Sequence, residues 1–408
     1  MRPDRPAVSR VVLGVSGGIA AYKACELLRQ LTESGHEVRV VPTEAALRFV
    51  GAPTWEALSG QPVATGVFTD VPSVPHVRLG QNADIVIVAP ATADLLAKAA
   101  HGLADDLLTN TLLTARCPVV YAPAMHTEMW EHPATAENVA TLRRRGAIVI
   151  EPAVGRLTGA DSGKGRLPEP AEIFAIVQRV LAGRTQADMV GRHVVVTAGG
   201  TREPLDPVRY LGNRSSGKQG YAFAATAVAR GAQVTVIAAN VSLPVPAGVE
   251  LVRVGTTADL RDAVLAAAEG ADALIFAAAP ADFRPKHYAD QKIKKSEDGT
   301  APTIELVTNP DISAEVGAAK RTGQVTVAFA AETQDGPANA ARKLVNKNAD
   351  LVVLNSVAGG RVFGEDDNDV VVLDADGSTT ALGRRSKEDV ADAVWDLVVA
   401  RWVKSSAG

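Results

Sequence analysis

The sequence predicts an α/β fold of two Rossmann-like domains with mostly parallel sheets, and three observations carry that prediction. The chain starts twice: Arg10-Val11-Val12-Leu13-Gly14-Val15-Ser16-Gly17-Gly18 and Gly191-Arg192-His193-Val194-Val195-Val196-Thr197-Ala198-Gly199-Gly200 are each a buried-type strand running into a glycine turn. Each start is followed by a helical stretch, a glycine and an alternating strand, at residues 35–41 in one half and 231–237 in the other. Apolar runs of one character recur at residues 82–90, 270–278 and 348–354. Continuous apolar strands alternating with helices mark parallel sheets covered on both faces. A length of 408 residues suits two such domains. The polar stretch 182–188 places the boundary between 1–187 and 188–408.

Composition narrows the function. With 47% hydrophobic and 22% charged residues, large cores are expected and disorder is not. A net charge of −4 argues against a nucleic-acid partner, and the run Arg143-Arg144-Arg145 is too short to reverse it. Two cysteines, Cys25 and Cys117, imply no disulfide framework, as in a reducing cytosol. No signal peptide and no apolar run of membrane-spanning length is seen, so a soluble cytoplasmic protein is expected. The 7 histidines are scattered, and no metal site built from protein side chains is expected.

In the first half, the adjacent glycines of the Ser16-Gly17-Gly18 turn do not make a G-x-G-x-x-G fingerprint. They suit one phosphate, with no Cβ in the way and a helix starting near Ile19 aimed at the turn. Thr43, Ala91 and Thr92 follow later strands at the same edge; Thr92 serves equally well to cap the helix running to Ala100. His76 falls in a loop before the 82–89 strand. There it is either structural or a general base, because imidazole titrates near working pH. Met125, Met129 and Trp130 cluster after the 119–122 strand, either as core filler or as an apolar wall for a planar ligand.

In the second half, residues 212–218 and 289–295 are rich in cations, glycine or serine and lie beside strand patterns. Either alone fits a solvated loop; together they point to a nucleotide triphosphate. Lys343 and Lys347 share one helix face by their four-residue spacing, as on any solvated face.

Over residues 10–180 the chain resembles the flavin-mononucleotide-dependent cysteine decarboxylases, phosphopantothenoylcysteine decarboxylase in particular. The resemblance lies in the 14–20 turn, Ala89-Pro90-Ala91-Thr92-Ala93, the His76 segment, Pro123-Ala124-Met125 with Met129-Trp130, and Gly165-Arg166-Leu167-Pro168. It implies a flavodoxin-like flavoprotein domain holding FMN through Ser16, Gly17, Gly18, Thr43, Ala91, Thr92 and Met125, with His76 as catalytic base. It also implies oxidation of the substrate's cysteine end to a thioaldehyde, loss of carbon dioxide, and return of the electrons from reduced flavin. His126, Gly159 and Asp161 match substrate positions, with two departures. His126 stands where the family has an asparagine that holds the substrate carboxylate. Gly159 stands where the family has a flap cysteine, so either another donor serves, such as Asp161, Ser162 or water, or the reduction step is slow.

Over residues 190–400 the chain resembles the bacterial phosphopantothenate–cysteine ligases. The carriers are residues 197–210, Asn213-Arg214-Ser215-Ser216-Gly217-Lys218, Ala279-Pro280-Ala281-Asp282-Phe283, Lys292-Ile293-Lys294-Lys295 and Asn309-Pro310-Asp311-Ile312. This implies CTP with Mg²⁺, and 4′-phosphopantothenate and cysteine as substrates. The carboxylate is activated as an acyl-cytidylate that the cysteine amine then attacks. Asn213 would hold that intermediate and Lys292 would contact the nucleotide. Asp282, Asn309, Pro310, Asp311, Ile312, Phe329 (after the 325–328 strand), Lys343 and Lys347 complete the CTP site. Joined, the halves imply a bifunctional enzyme of coenzyme A synthesis, assembled as a homo-oligomer, with decarboxylase trimers and ligase dimers in a dodecamer. The alternatives are an active ligase fused to a non-catalytic or regulatory FMN-binding module; a prenyltransferase-like or peptide-cysteine decarboxylase first domain, against which the fused ligase half argues; and an NAD(P)-dependent oxidoreductase, which lacks its fingerprint.

Overall fold

The computed structural model describes residues 8–63, 75–157, 161–183, 187–294, 301–332, 336–356 and 367–406. The chain divides into two compact units, Met1–Gln186 and Ala187–Gly408.

In chain order the first unit comprises β1 (Arg10–Val15), α1 (Ala21–Glu33), β2 (Glu37–Pro42), α2 (Glu44–Leu47), α3 (Ala52–Ser59), α4 (Pro75–Asn82), β3 (Ile85–Ala91), α5 (Ala93–His101) and α6 (Leu107–Thr114). It continues with β4 (Val119–Pro123), α7 (Thr127–Glu131), α8 (Pro133–Arg144), β5 (Ile148–Val149), β6 (Ala153–Arg156), β7 (Ser162–Arg166) and α9 (Pro170–Leu181). Its main sheet has the order β2-β1-β3-β4-β5 with all pairs parallel, the flavodoxin-like arrangement. Side chains of a strand alternate between faces, and here both faces are covered. Val11, Leu13, Ile85 and Ile87 join the core that includes α1 and α9, whereas Val12, Val86 and Val88 join the one that includes α5, α6 and α8. This is why these strands read as continuous apolar runs.

The second unit holds β8 (His193–Gly199), β9 (Arg202–Pro204), β10 (Tyr210–Gly212), α10 (Lys218–Ala229), β11 (Gln233–Ala239), β12 (Val249–Val254), α11 (Thr257–Ala268), β13 (Ala273–Phe276), β14 (Phe283–Pro285) and β15 (Leu306–Thr308). It ends with α12 (Ile312–Ala318), β16 (Val325–Glu332), α13 (Gly336–Asn346), β17 (Leu351–Ser356), β18 (Asp367–Asp374), β19 (Thr379–Ser386) and α14 (Lys387–Ser406). The sheet order is β12-β11-β8-β13-β16-β17-β18-β19. Its first six strands run parallel in the Rossmann 3-2-1-4-5-6 sequence, with an antiparallel pair appended. Trp395 of α14 and Phe223 of α10 are fully buried edge to face, their ring centroids 5.6 Å apart. The Trp395 indole donates to the Phe223 carbonyl at 3.1 Å. Among the described residues no helix is long and apolar enough to cross a membrane.

Candidate functional site

In parallel sheets of this kind, ligands bind beyond the carboxyl ends of the strands, where the order reverses. In the first unit that edge is the turn after β1. Residues 16–20 form the turn, so α1 begins at Ala21, slightly later than the sequence suggests. Ser16 is 2% exposed. Its hydroxyl donates to the Pro90 carbonyl at 2.8 Å and accepts the Thr92 N–H at 2.9 Å. Ser16 therefore fastens the turn to the end of β3, with its hydroxyl already engaged there. A Cβ on Gly17 would lie 2.4 Å from the Ala45 Cβ, and one on Gly18 3.6 Å from Thr92. Three helices start around this turn. Thr43 caps α2 by accepting from Ala46, and Thr92 caps α5 by accepting from Leu95. The start of α1 has neither a side-chain cap nor an acidic residue in its first turn. Ala91 sits at the end of β3 and its carbonyl accepts the Ala124 N–H, which brings Met125 to the same edge.

The hairpin β6–β7 lies against this edge: the Met125 N–H donates to Gly165, whose φ is +146°. A Cβ on Gly165 would strike the Met125 carbonyl at 2.3 Å. Trp130 is half-buried with the Lys164 ammonium 5.9 Å from its ring centroid, and Met129 is exposed. Lys164 and Arg143 both bond Glu151; burial pushes that carboxyl up, but the two cations prevail and hold it below the usual range. His126 is exposed at the start of α7. Asp161 is also exposed, its carbonyl accepting the Leu157 N–H to close the hairpin. Gly159 lies outside the described residues. Neither cysteine stands in for a thiol there: Cys25 is in α1 and Cys117 precedes β4, and burial pushes both thiols up.

His76 corrects the sequence reading. It is in helix α4, not a loop. Gly80 lets α4 lie on α6, since a Cβ there would be 2.3 Å from the Thr114 hydroxyl. That hydroxyl donates to the His76 carbonyl at 2.8 Å. The His76 Nδ1 is buried without a hydrogen-bond partner. So is the Thr127 hydroxyl, near the start of α7.

In the second unit a cavity of about 610 Å³ opens at the carboxyl ends of β8, β13, β16 and β17. Of the residues singled out from sequence, Asn213, Asp282, Asn309, Pro310, Asp311, Ile312, Phe329, Lys343 and Lys347 all line it. The Asn213 amide donates to the Pro280 carbonyl at 2.8 Å, and the Asn309 amide to the Ala281 carbonyl at 2.8 Å. Asp311 caps α12 and receives Lys347 at 3.1 Å; burial alone would raise its pKa, but Ser313, Lys347 and the Ala314 N–H lower it. Ile312, at the start of α12, also packs into the core. Phe329 lies inside β16, not after it, because the strand runs on to Glu332. It meets Phe223 edge to face at 5.7 Å. Gly217, at φ +79°, starts α10 without a side-chain cap, again leaving a helix start facing the cavity.

Lys292 is exposed and is not among the residues lining the cavity. Among the lining residues that escaped the sequence reading are Gln219, Asn355, Asn368 and Lys387. Lys387, 6% exposed, donates to Asn368; Asn368 donates to Gln219; Gln219 donates back to the Lys387 carbonyl. The Asn355 Oδ1 is buried without a partner at the end of β17. Its place just past the 348–354 run was a usable signal.

Comparison with known proteins decides the family. Residues 189–401 match the family model described as DNA/pantothenate metabolism flavoprotein C-terminal domain, and residues 3–182 match the flavoprotein model. The coenzyme A biosynthesis bifunctional protein CoaBC of Mycobacterium tuberculosis (strain ATCC 25618 / H37Rv) is 60% identical over 402 residues, 96% of each chain. That of Bacillus subtilis (strain 168) is 46% identical over 394 residues, again 96% of each. The chain belongs to the bifunctional CoaBC family. It is an enzyme of coenzyme A biosynthesis with phosphopantothenoylcysteine decarboxylase and phosphopantothenate–cysteine ligase activities, and its N-terminal half is a flavoprotein domain. Among solved structures, the C-terminal domain of a CoaBC protein is 33% identical, covering 53% of this chain and 97% of that one, with a TM-score of 0.46. The FMN-dependent cysteine decarboxylase SpaF is 34% identical, covering 44% and 99%, with a TM-score of 0.39.

Proposed function

We propose that residues 188–408 ligate 4′-phosphopantothenate to cysteine with CTP, and that residues 1–187 decarboxylate the product to 4′-phosphopantetheine with FMN. The observation that carries the ligase assignment is the cavity itself. It combines an uncapped helix start at Gly217, two lysines on one wall and an unpartnered amide oxygen at Asn355. Anionic phosphates suit the first two and a donor on the bound ligand suits the third. A carboxylate is a poor acyl donor because oxide leaves badly; attack on the α-phosphate of CTP gives an acyl-cytidylate and pyrophosphate, and the cysteine amine then displaces CMP. Asn213, fixed to Pro280, would hold the acyl-cytidylate. Asp282, the 309–312 loop, Phe329, Lys343 and Lys347 would hold the nucleotide, and Lys292 would reach it from the rim. Catalysis of this kind is positioning and charge neutralisation. We assign Mg²⁺ to the triphosphate, whose oxygens suit that hard cation.

The first unit fits a flavin phosphate. Of the three helix starts around the turn, the one left uncapped is α1, and Gly17 lets the turn pack closely against Ala45. FMN, when bound, supplies the reversible two-electron oxidation that labilises the carboxylate. Ser16 would keep the turn in shape, with Gly17, Gly18, Thr43, Ala91, Thr92 and Met125 around the cofactor. His76 would serve as base, since a buried imidazole nitrogen without a partner awaits a donor or a proton. His126 would take the substrate carboxylate, and Asp161, near Gly159, would stand close to the proton-donating step. We assign a homo-oligomer, with decarboxylase trimers and ligase dimers combined in a dodecamer. Ile19 and Tyr22, exposed beside the turn, suit cover by a second copy.

The test is one incubation of the protein with 4′-phosphopantothenate, cysteine, CTP and Mg²⁺, followed by mass spectrometry. CMP with phosphopantetheine is expected. CMP with accumulating phosphopantothenoylcysteine would remove the decarboxylase half of the proposal, and replacement of CTP by ATP without loss of rate would remove the nucleotide assignment.

A further inference from the structure

We propose that Asp206 is a positioning residue that acts through a clamp on the segment carrying Lys292; the proposal rests on the nucleotide-contacting role given to Lys292 above. Asp206 lies between β9 and β10 and is 2% exposed. Its Oδ1 accepts the N–H groups of Val208 and Arg209 at 2.9 and 2.8 Å, closing a tight turn. Its Oδ2 accepts Arg209 Nε at 2.9 Å, Arg209 Nη2 at 2.6 Å, and the Ile293 N–H at 3.1 Å. Arg209 Nη2 also donates to the Ile293 carbonyl at 2.7 Å. The backbone of Ile293 is thus held at both its N–H and its C=O, one residue from Lys292. Four residues earlier, the Ala289 N–H donates to the Leu205 carbonyl at 3.0 Å. The 205–209 loop therefore grips the chain on both sides of Lys292, whose own side chain is exposed.

The chemistry asks for a carboxylate at this point. Five donors converge on Asp206, and a carboxylate is the side chain of that size that only accepts. An asparagine would turn an NH₂ toward at least one of them. The Arg209 guanidinium and the three N–H groups outweigh burial and hold the Asp206 carboxyl far below the usual range, so the clamp is closed at neutral pH. A lysine carries four rotatable bonds, and anchoring its backbone is what limits the space its ammonium can sample.

The experiment combines Asp206→Asn, Lys292→Gln and the double variant, in the full chain, with ligase kinetics and limited trypsin digestion at Lys292 and Lys294. Asp206→Asn is expected to lower ligase kcat roughly 10- to 100-fold, the scale of a small misplacement. Cleavage at the two lysines should rise several-fold, and the double variant should be no slower than Lys292→Gln alone. Unchanged cleavage, or losses that multiply in the double variant, would overturn the clamp. Wild-type ligation by Lys292→Gln would instead remove the role given to Lys292, while digestion of Asp206→Asn still reported on the clamp. Should Asp206→Asn not fold, Arg209→Lys keeps a cation beside Asp206 but removes the guanidinium fork that also reaches the Ile293 carbonyl. It should show the same two effects, and wild-type behaviour in both would overturn the proposal.

Discussion

In the first unit residues 16–20 alone separate β1 from α1, whereas in the second residues 200–217 separate β8 from α10 and include the β9–β10 hairpin. Both connections sit at the same place in a parallel sheet, next to the point where strand order reverses. The short one has no room for ligating side chains, so it works through backbone and the absence of Cβ atoms. The long one delivers side chains: Asn213 to the cavity and Asp206 to the segment of Lys292. One sheet architecture thus carries a short, side-chain-poor connection in one unit and a long, side-chain-rich one in the other.

The sharpest way to separate the units is His76→Gln. Loss of a general base lowers the rate about 10²–10⁴-fold, and only the decarboxylation should suffer, with phosphopantothenoylcysteine accumulating while CMP release continues at the wild-type rate. Equal losses in both reactions would break the division. A stability counterpart is Trp395→Ala, expected to cost about 3–5 kcal/mol as for other buried aromatics. Calorimetry should show the ligase transition falling while the flavoprotein transition holds.

Gly17→Ala tests the claim that the first turn depends on an absent Cβ. The new methyl would meet Ala45 at 2.4 Å, and flavin retention read by absorbance should fall while ligation is kept. In the second unit Asn355→Ala removes one acceptor. The KM for a ligase substrate should rise roughly 2- to 10-fold, the worth of one hydrogen bond, with the decarboxylase unmoved. The smallest effect concerns pH. The pKa of Asp311 is lowered on folding, so its contribution is full above the ordinary carboxylate range and is lost as pH falls through the folded value. Asp311→Asn should therefore flatten the acid side of the ligase unit's stability profile; an unchanged profile would show that the Lys347 pair does not contribute.

What could be read from the sequence divides along similar lines. The parallel strands were legible because burial on both faces makes apolar runs, as in residues 193–199 and 85–91. His76 was misplaced because a proline beside it reads as a break, whereas Pro75 and His76 both lie in α4. Phe329 was placed one element late because the apolar run of β16 continues through small alanines. Gln219, Asn368 and Lys387 were not legible at all. They meet because the antiparallel pair β18–β19 returns the chain beside α10, and the Gln219–Lys387 bond closes 168 residues of sequence. Lys292 was legible as a motif but not as a position, since the backbone N–H of its neighbour Ile293 is bonded to Asp206, 87 residues upstream.

The placement of α14 has a genetic consequence. Its first residue, Lys387, is in the floor of the ligase cavity, and Trp395 is in the core behind α10. A nonsense codon anywhere between those two positions would be a ligase-null allele rather than a harmless trimming of the end. The flavoprotein unit encoded upstream would still be made whole.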